Sequence, residues 1–215
     1  AIQGGGRQIV TAPASPAFRG YQRALAARIK AIEARKGKPE KGQDILLSVI
    51  TDGRHAAIDL RFVVAEAEDD PGNKLNALID NAFRIWSETR DKVFRNPDGS
   101  PHPTPGATQM IFSDLGTEGA AATRGFSAYR WIRQRLIGLG VPAARIAFMQ
   151  DYKKAEAKQG LFSKLNNGQV DFLLGSSATM GTGVNAQRRL VALHHLDVPW
   201  LPSEIEQREG RIERQ

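Results

Sequence analysis

The second half of the chain alternates short apolar runs with segments of helical periodicity, and this alternation constrains the fold more than any other feature. The apolar runs cover residues 109–112, 146–149, 170–174 and 190–196. The helical segments cover residues 122–139, 153–165 and 203–213. Such alternation is typical of parallel strands joined by right-handed helical crossovers. We therefore expect an α/β domain over residues 107–215, in which a doubly wound parallel sheet is flanked by helices.

The first half is predicted to be mainly helical. Residues 1–16 are rich in Gly, Ala and Pro, which indicates a flexible lead-in. Residues 17–106 contain two long patterns, over 18–32 and 74–94, in which apolar side chains recur every three or four residues. Between them, residues 51–54 (Thr-Asp-Gly-Arg) have the composition of a turn. We expect a helical N-terminal extension that leads into the α/β domain.

The charge balance favours a polyanionic partner. The formal net charge is +7 and the isoelectric point is about 9.9. Each phosphate that a cation neutralises releases a condensed counterion, which favours binding to nucleic acid. A basic surface without a partner is the alternative that charge alone leaves open. The chain has no cysteine, which excludes disulfides, Cys-based zinc sites and thiol nucleophiles and suits a cytoplasmic protein. No apolar run approaches the roughly 20 residues of a membrane span, so no membrane partner is expected.

Polar loops follow the predicted strands, at the edge of the sheet where open α/β folds bind their ligands. Ser113 and Asp114 follow the first strand. The loop after the third strand contains Ser177, Gly181, Thr182, Gly183 and Asn185. Glycines and hydroxyls after a buried strand suit backbone amides that face a phosphate, although an isolated G-x-G also fits a tight turn.

A polar motif, Q-x-x-G-R-x-x-R, lies on the last predicted helix and comprises Gln207, Gly210, Arg211 and Arg214. Arg211 and Arg214 are three residues apart and share a helix face, so their guanidinium groups are placed to clamp a phosphate. A solvated helix end, with the arginines paired to neighbouring glutamates, is the alternative. We expect this helix to begin at Ser203, with Glu206 completing a capping box.

Other polar and aromatic residues are predicted to be structural. His194 and His195 are adjacent on a predicted strand and point to opposite faces, so they do not chelate a metal together. No metal site is expected in this chain. Trp86 lies at helical spacing among apolar neighbours and is expected in the core. Arg124 belongs to a basic helix that either contacts DNA or forms a solvated face, and both readings stay open.

These segments resemble the motifs of superfamily 2 helicases. Residues 109–113 resemble motif IV, Ser177 with residues 181–185 resembles motif V, and residues 207–214 resemble motif VI. Asn185, Gln207 and the Asp-Val-Pro-Trp segment at 197–200 are similar to the Swi/Snf branch. The resemblance covers residues 107–215, about half of the chain.

More loosely, residues 51–54 and the predicted helix over residues 76–86 look like segments between the two motor lobes of large mobile-element proteins. Those proteins fuse an adenine DNA methyltransferase to such a helicase. The resemblance implies a RecA-like lobe, a bacterial, phage or plasmid source, and a fused methyltransferase domain as a further partner.

The resemblance also implies roles for individual residues. Arg211 and Arg214 match the arginine fingers that reach the γ-phosphate of ATP. The residues that match nucleotide-facing positions are Gln207, Gly210, Gly181, Gly183 and Asn185. The residues that match positions near the nucleic-acid backbone, or extend that surface, are Ser113, Asp114, Ser177, Thr182 and Arg124. The track is DNA, with RNA not excluded.

Nothing in the sequence matches the phosphate cradle G-x-x-x-x-G-K-[ST] or a D-E-x-H-type Mg²⁺ motif. The resemblance implies that ATP and Mg²⁺ are held mainly by an upstream RecA-like lobe of the same polypeptide, and that this chain alone does not hydrolyse ATP. The alternatives are a non-catalytic nucleic-acid-binding module and a Rossmann-type enzyme with a phosphate-bearing ligand. The latter lacks the expected G-x-G-x-x-G after a first strand.

Overall fold

The computed structural model describes residues 6–180 and 187–210. A four-stranded sheet has the spatial order β2-β3-β1-β4, and all its neighbouring strands are parallel. The strands are β1 (Thr108–Phe112), β2 (Ile146–Phe148), β3 (Phe172–Gly175) and β4 (Leu190–His195). The predicted α/β class and parallel sheet are therefore confirmed.

Eight α-helices lie in the described residues. They are α1 (Pro16–Ala34), α2 (Leu46–Ala56), α3 (Lys74–Thr89), α4 (Ala121–Arg124), α5 (Ala128–Gly138), α6 (Ala155–Asn166), α7 (Ser177–Met180) and α8 (Pro202–Glu209). The predicted end of α6 is confirmed, since Asn167 caps it and Gly168 follows with a φ of 70°.

Apolar side chains alternate between the two faces of the sheet and form two cores. Ile111 and Leu174 belong to the core on the face that carries α3 and α5. Met110 and Leu173 belong to the core on the other face, which α6 covers. Helices therefore flank the sheet on both faces, as the doubly wound prediction requires. Strands buried on both faces read as nearly continuous apolar runs, which is why they stood out in the sequence.

Helix α3 shares the core of the sheet, although it lies in the predicted N-terminal extension. The Trp86 indole Nε1 donates to Asp171 Oδ2 at 2.8 Å, and Gln109 Nε2 donates to the Ala82 carbonyl at 2.9 Å. Gln109 Oε1 lies 2.8 Å from Nε2 of His194, a buried histidine on β4. The structural roles predicted for Trp86 and His194 are confirmed, whereas the division near residue 106 stays a prediction.

Three local expectations are wrong. Residues 51–54 do not form a turn but continue α2, where Gly53 lies beside Leu25 of α1. The helix expected over residues 122–139 is broken at Gly125, whose φ of 72° ends α4. Helix α8 begins at Pro202 rather than after Ser203, because proline fits the first turn of a helix. Its capping contact comes from Glu204, whose carboxylate accepts from the Leu201 amide at 3.4 Å.

Ion pairs join the N-terminal helices to each other. Arg28 of α1 contacts Asp44 at 2.7 Å and Asp52 of α2 at 3.0 Å. Along residues 6–180 and 187–210, no helix is both long and apolar enough to cross a membrane.

Candidate functional site

The carboxyl ends of three neighbouring strands bring polar side chains together. Asp114 follows β1, Ser177 follows β3 and Asp197 follows β4. Helix α8 lies across them and places Arg208 between all three. We call these four residues the Arg208 cluster. The convergence follows from topology, because β1 lies between β3 and β4 and all three strands run in the same direction.

The Arg208 guanidinium is fully buried and saturated with acceptors. Nη2 donates to Ser177 Oγ at 2.6 Å and to Asp114 Oδ2 at 2.8 Å, and Nε donates to the same hydroxyl at 2.9 Å. Nη1 donates to the Asp197 carbonyl at 3.2 Å, and Asp197 Oδ1 lies 3.4 Å away. The guanidinium carbon also lies 5.2 Å from the ring centre of Phe112. Arginine with two carboxylates in a dry site is a strongly directional contact, which fixes the position of α8.

Asp114 joins the loops after β1 and β3. Its carboxylate accepts from the Ser177 amide at 2.6 Å and from the Ser177 hydroxyl at 3.0 Å. The neighbouring Ser113 is fully buried, and its hydroxyl donates to the Leu115 carbonyl at 2.8 Å. The Ser113 carbonyl accepts from the Tyr129 hydroxyl of α5 at 2.7 Å. The structure thus brings Asp114 and Ser177 together with Arg208, while their contact with nucleic acid stays a prediction.

Asp197 holds the loop after β1 from the other side. Its Oδ2 accepts from the amides of Asp114 and Leu115 at 2.8 and 3.1 Å. Burial, followed by the charge of Asp114, raises the pKa of Asp197, while Arg208 lowers it. The Arg208 charge therefore compensates two carboxylates that would otherwise repel each other.

His195 extends the cluster toward the end of α8. Its Nδ1 lies 3.4 Å from Arg208 Nη1, and its Nε2 lies 3.6 Å from a carboxylate oxygen of Glu209. Burial, followed by the charge of Arg208, lowers the pKa of His195. Glu209 also accepts from Arg7, which brings the N-terminal segment to the end of α8.

Some of the other site residues predicted from the sequence lie in the part of the chain that the structure describes, and the rest lie outside it. Gln207 is exposed on α8, and Gly210 caps the helix with its amide 2.8 Å from the Glu206 carbonyl. Arg124 contacts Asp52 at 3.0 Å and the Phe62 carbonyl at 3.5 Å, so its contacts are with α2 and the turn after it. The candidates that lie outside the described residues are Gly181, Thr182, Gly183, Asn185, Arg211 and Arg214.

The sequence reasoning missed Arg208, Asp197 and His195. Arg208 stood inside the polar motif as an unspecified position. Asp197 follows β4 as directly as Asp114 follows β1, and this equivalent placement was the available signal. In the described part of the chain, no three His, Asp or Glu side chains come together in a way that fits a metal ion.

Comparison with known families gives one result. Residues 127–215 match the family described as the helicase conserved C-terminal domain. The match begins at Ser127, the N-cap of α5, and includes β2, β3, β4 and α8. It supports a C-terminal helicase lobe, and the parallel sheet flanked by helices is consistent with a RecA-like domain of this kind. No curated protein matches the chain.

Proposed function

We propose that the chain is the second motor lobe of an ATP-dependent DNA translocase of the Swi/Snf type. The observation that carries the proposal is the Arg208 cluster, which fastens α8 to the carboxyl ends of β1, β3 and β4. This is the edge at which open α/β sheets bind their ligands. This anchoring supports the assignment of the end of α8 to a nucleotide site between two lobes.

In this proposal Arg211 and Arg214 are the arginine fingers. Arg211 directly follows Gly210, the residue that caps α8, so the anchoring of α8 sets where this segment starts. Guanidinium groups delivered to a γ-phosphate stabilise the charge that develops as the phosphoryl group leaves. Gln207 is exposed on the same helix and is assigned to the nucleotide-facing surface with Gly210. The motif V residues Gly181, Gly183 and Asn185 are assigned to that surface as well.

The nucleic-acid surface is assigned to the loops of Ser113, Asp114, Ser177 and Thr182 together with Arg124, and the buried Ser113 acts through its loop rather than by direct contact. The net charge of +7 supports a polyanionic track. The side chains of Asp114 and Ser177 bond to each other, and Asp114 bonds to Arg208. In this proposal they therefore position the backbone of the two loops against the DNA rather than contact it themselves. Translocation then follows from closure and reopening of the lobes around ATP, with backbone contacts holding the DNA.

ATP and Mg²⁺ are assigned mainly to an upstream lobe. The sequence has no phosphate cradle motif, and in the described residues no three His, Asp or Glu side chains come together to fit a metal ion. When bound, Mg²⁺ neutralises charge on the phosphates. A fused methyltransferase domain and a cytoplasmic bacterial or phage setting belong to the same proposal.

The test is ATP turnover by the polypeptide that joins this chain to its upstream lobe, with and without double-stranded DNA. We expect DNA to stimulate turnover and Arg211→Ala to lower it by roughly 10³-fold. The matched control is Arg84→Ala, since Arg84 is exposed on α3 and pairs only with neighbours on the same helix. It should leave turnover unchanged.

Two outcomes count against the proposal. Equal turnover without Arg211 would show that the finger is elsewhere. DNA binding without any ATP turnover would favour a non-catalytic nucleic-acid-binding module instead.

A further inference from the structure

A second arginine, Arg189, is buried at the opposite end of the sheet. It directly precedes β4 and is 2% exposed. Its Nη1 donates to the carbonyls of Thr104 and Gly106 at 2.8 and 3.1 Å, and its Nε donates to the Asn166 carbonyl at 2.9 Å. Its Nη2 is buried and finds no acceptor among the described residues. Within the described part of the chain, this donor therefore has no partner.

The charge of Arg189 has no carboxylate partner in the described part of the chain. Asp171 is the carboxylate whose charge acts on Arg189, but its two oxygens accept hydrogen bonds from Arg145 and Trp86, each at 2.8 Å. Burial, followed by the charge of Arg145, lowers the pKa of Arg189. A buried cation with only carbonyl partners is costly unless an anion compensates it.

Arg189 lines a cavity of about 40 Å³ whose other side chains are also donors or neutral groups. Arg95, Arg188 and His102 line it together with Asn166 and Asn167, and no described lining residue is acidic. A single water needs about 10–15 Å³, so this space holds a group of a few oxygen atoms.

The backbone is shaped around the guanidinium. Gly168 has a φ of 70°, and a Cβ there would clash with Nη1 of Arg189. On the other side, the ring centre of Phe94 lies 5.0 Å from the guanidinium carbon. The arginine is thus held in place before any ligand binds, which lowers the entropic cost of binding.

We propose that this cavity binds a phosphate group. Arg189 lines the cavity and brings a charge that no described carboxylate compensates, and Arg188 and Arg95 supply further positive charge from the rim. Arginine donors match the geometry of phosphate oxygens. The site lies at the amino ends of the strands, away from the Arg208 cluster, and does not rest on the motor function proposed above.

Calorimetric titration of the chain with inorganic phosphate, at constant ionic strength balanced by chloride, tests the site. We expect saturable binding, weakened about 10-fold or more by Arg188→Ala, which removes a charged donor from an exposed position. Arg84→Ala is the matched control and should leave the Kd unchanged. Absence of saturable binding, or an unchanged Kd in Arg188→Ala, would overturn the proposal.

A second arm identifies the source of the phosphate. If Arg188→Ala also weakens binding of a short DNA duplex, and inorganic phosphate competes with that duplex, the phosphate belongs to a nucleic-acid backbone. If duplex binding is unchanged while phosphate binding is lost, the site takes a free anion. A failure of the ATP turnover test leaves both arms unaffected.

Discussion

Arg208 and Arg189 are both fully buried, yet their surroundings differ in kind. Arg208 meets the carboxylates of Asp114 and Asp197 and a serine hydroxyl. Among the described residues, Arg189 hydrogen-bonds only to backbone carbonyls, and its Nη2 has no partner there. The carboxylates around Arg208 compensate its charge within the protein. The charge of Arg189 is left for a bound anion to compensate. The same side chain thus indicates a structural anchor at one end of the sheet and a binding site at the other.

The sharpest way to break this comparison is to replace each arginine by methionine, which keeps much of the volume and removes the charge. Arg208→Met leaves the buried Asp197 and the partly exposed Asp114 without a countercharge and should lower the free energy of unfolding by about 3–5 kcal/mol. Arg189→Met loses hydrogen bonds to carbonyls but also removes an uncompensated charge, so we expect about 1–2 kcal/mol. Urea denaturation at neutral pH measures both values. Equal losses would contradict the contrast between the two sites.

Acid should lower the stability of the protein through His194 on β4, the strand that runs between Arg189 and the Arg208 cluster. Burial, followed by the charge of His195, lowers the pKa of His194 from 6.5 to about 4. Because the folded pKa is the lower one, the stabilisation is complete above pH 6.5 and is lost as the pH falls toward 4. The slope is about 1.4 kcal/mol per pH unit, with a total of about 3 kcal/mol.

His194→Gln is the matched variant for this prediction, since glutamine keeps a donor toward Gln109 but does not titrate. His55 and His195 also have lowered pKa values and are present in both proteins, so the difference between the two unfolding profiles isolates His194. Parallel profiles between pH 6.5 and 4 would show that His194 does not titrate in this range.

Two glycines with nearly the same backbone angle test how closely Arg189 is enclosed. Gly125 and Gly168 have φ values of 72° and 70°, but only at Gly168 would a Cβ meet Arg189. Gly125→Ala should cost about 1 kcal/mol for the left-handed backbone alone. Gly168→Ala should cost about 1–3 kcal/mol more, because the guanidinium must shift. Thermal unfolding of both variants gives the difference, and a difference near zero would show that Arg189 moves freely.

Much of the sheet could be predicted from the sequence, because strands buried on both faces form short apolar runs bounded by loops. The loops that carry Asp114 and Ser177 followed from the same pattern. Local rules failed where distant residues decide the structure. Gly53 lies inside α2, which packs against α1, although residues 51–54 have the composition of a turn.

The two buried arginines were beyond prediction for a related reason. Arginine is usually exposed, so Arg208 and Arg189 read as surface residues. Their burial depends on acceptors that are far away in sequence, such as Asp114 for Arg208 and Thr104 for Arg189. Only the folded chain shows which arginine faces carboxylates.

The central claim is that the Arg208 cluster places the end of α8 for ATP hydrolysis, and the most direct test is the DNA-stimulated kcat and KM for ATP of Arg208→Met in the two-lobe polypeptide. Measured at a temperature where the variant is folded, kcat should fall by about 10-fold or more with little change in KM, because displaced fingers lose contact with the transition state while another lobe holds the nucleotide. Arg84→Ala should keep the wild-type kcat. An unchanged kcat in Arg208→Met would contradict the claim and leave Arg208 with a purely structural role.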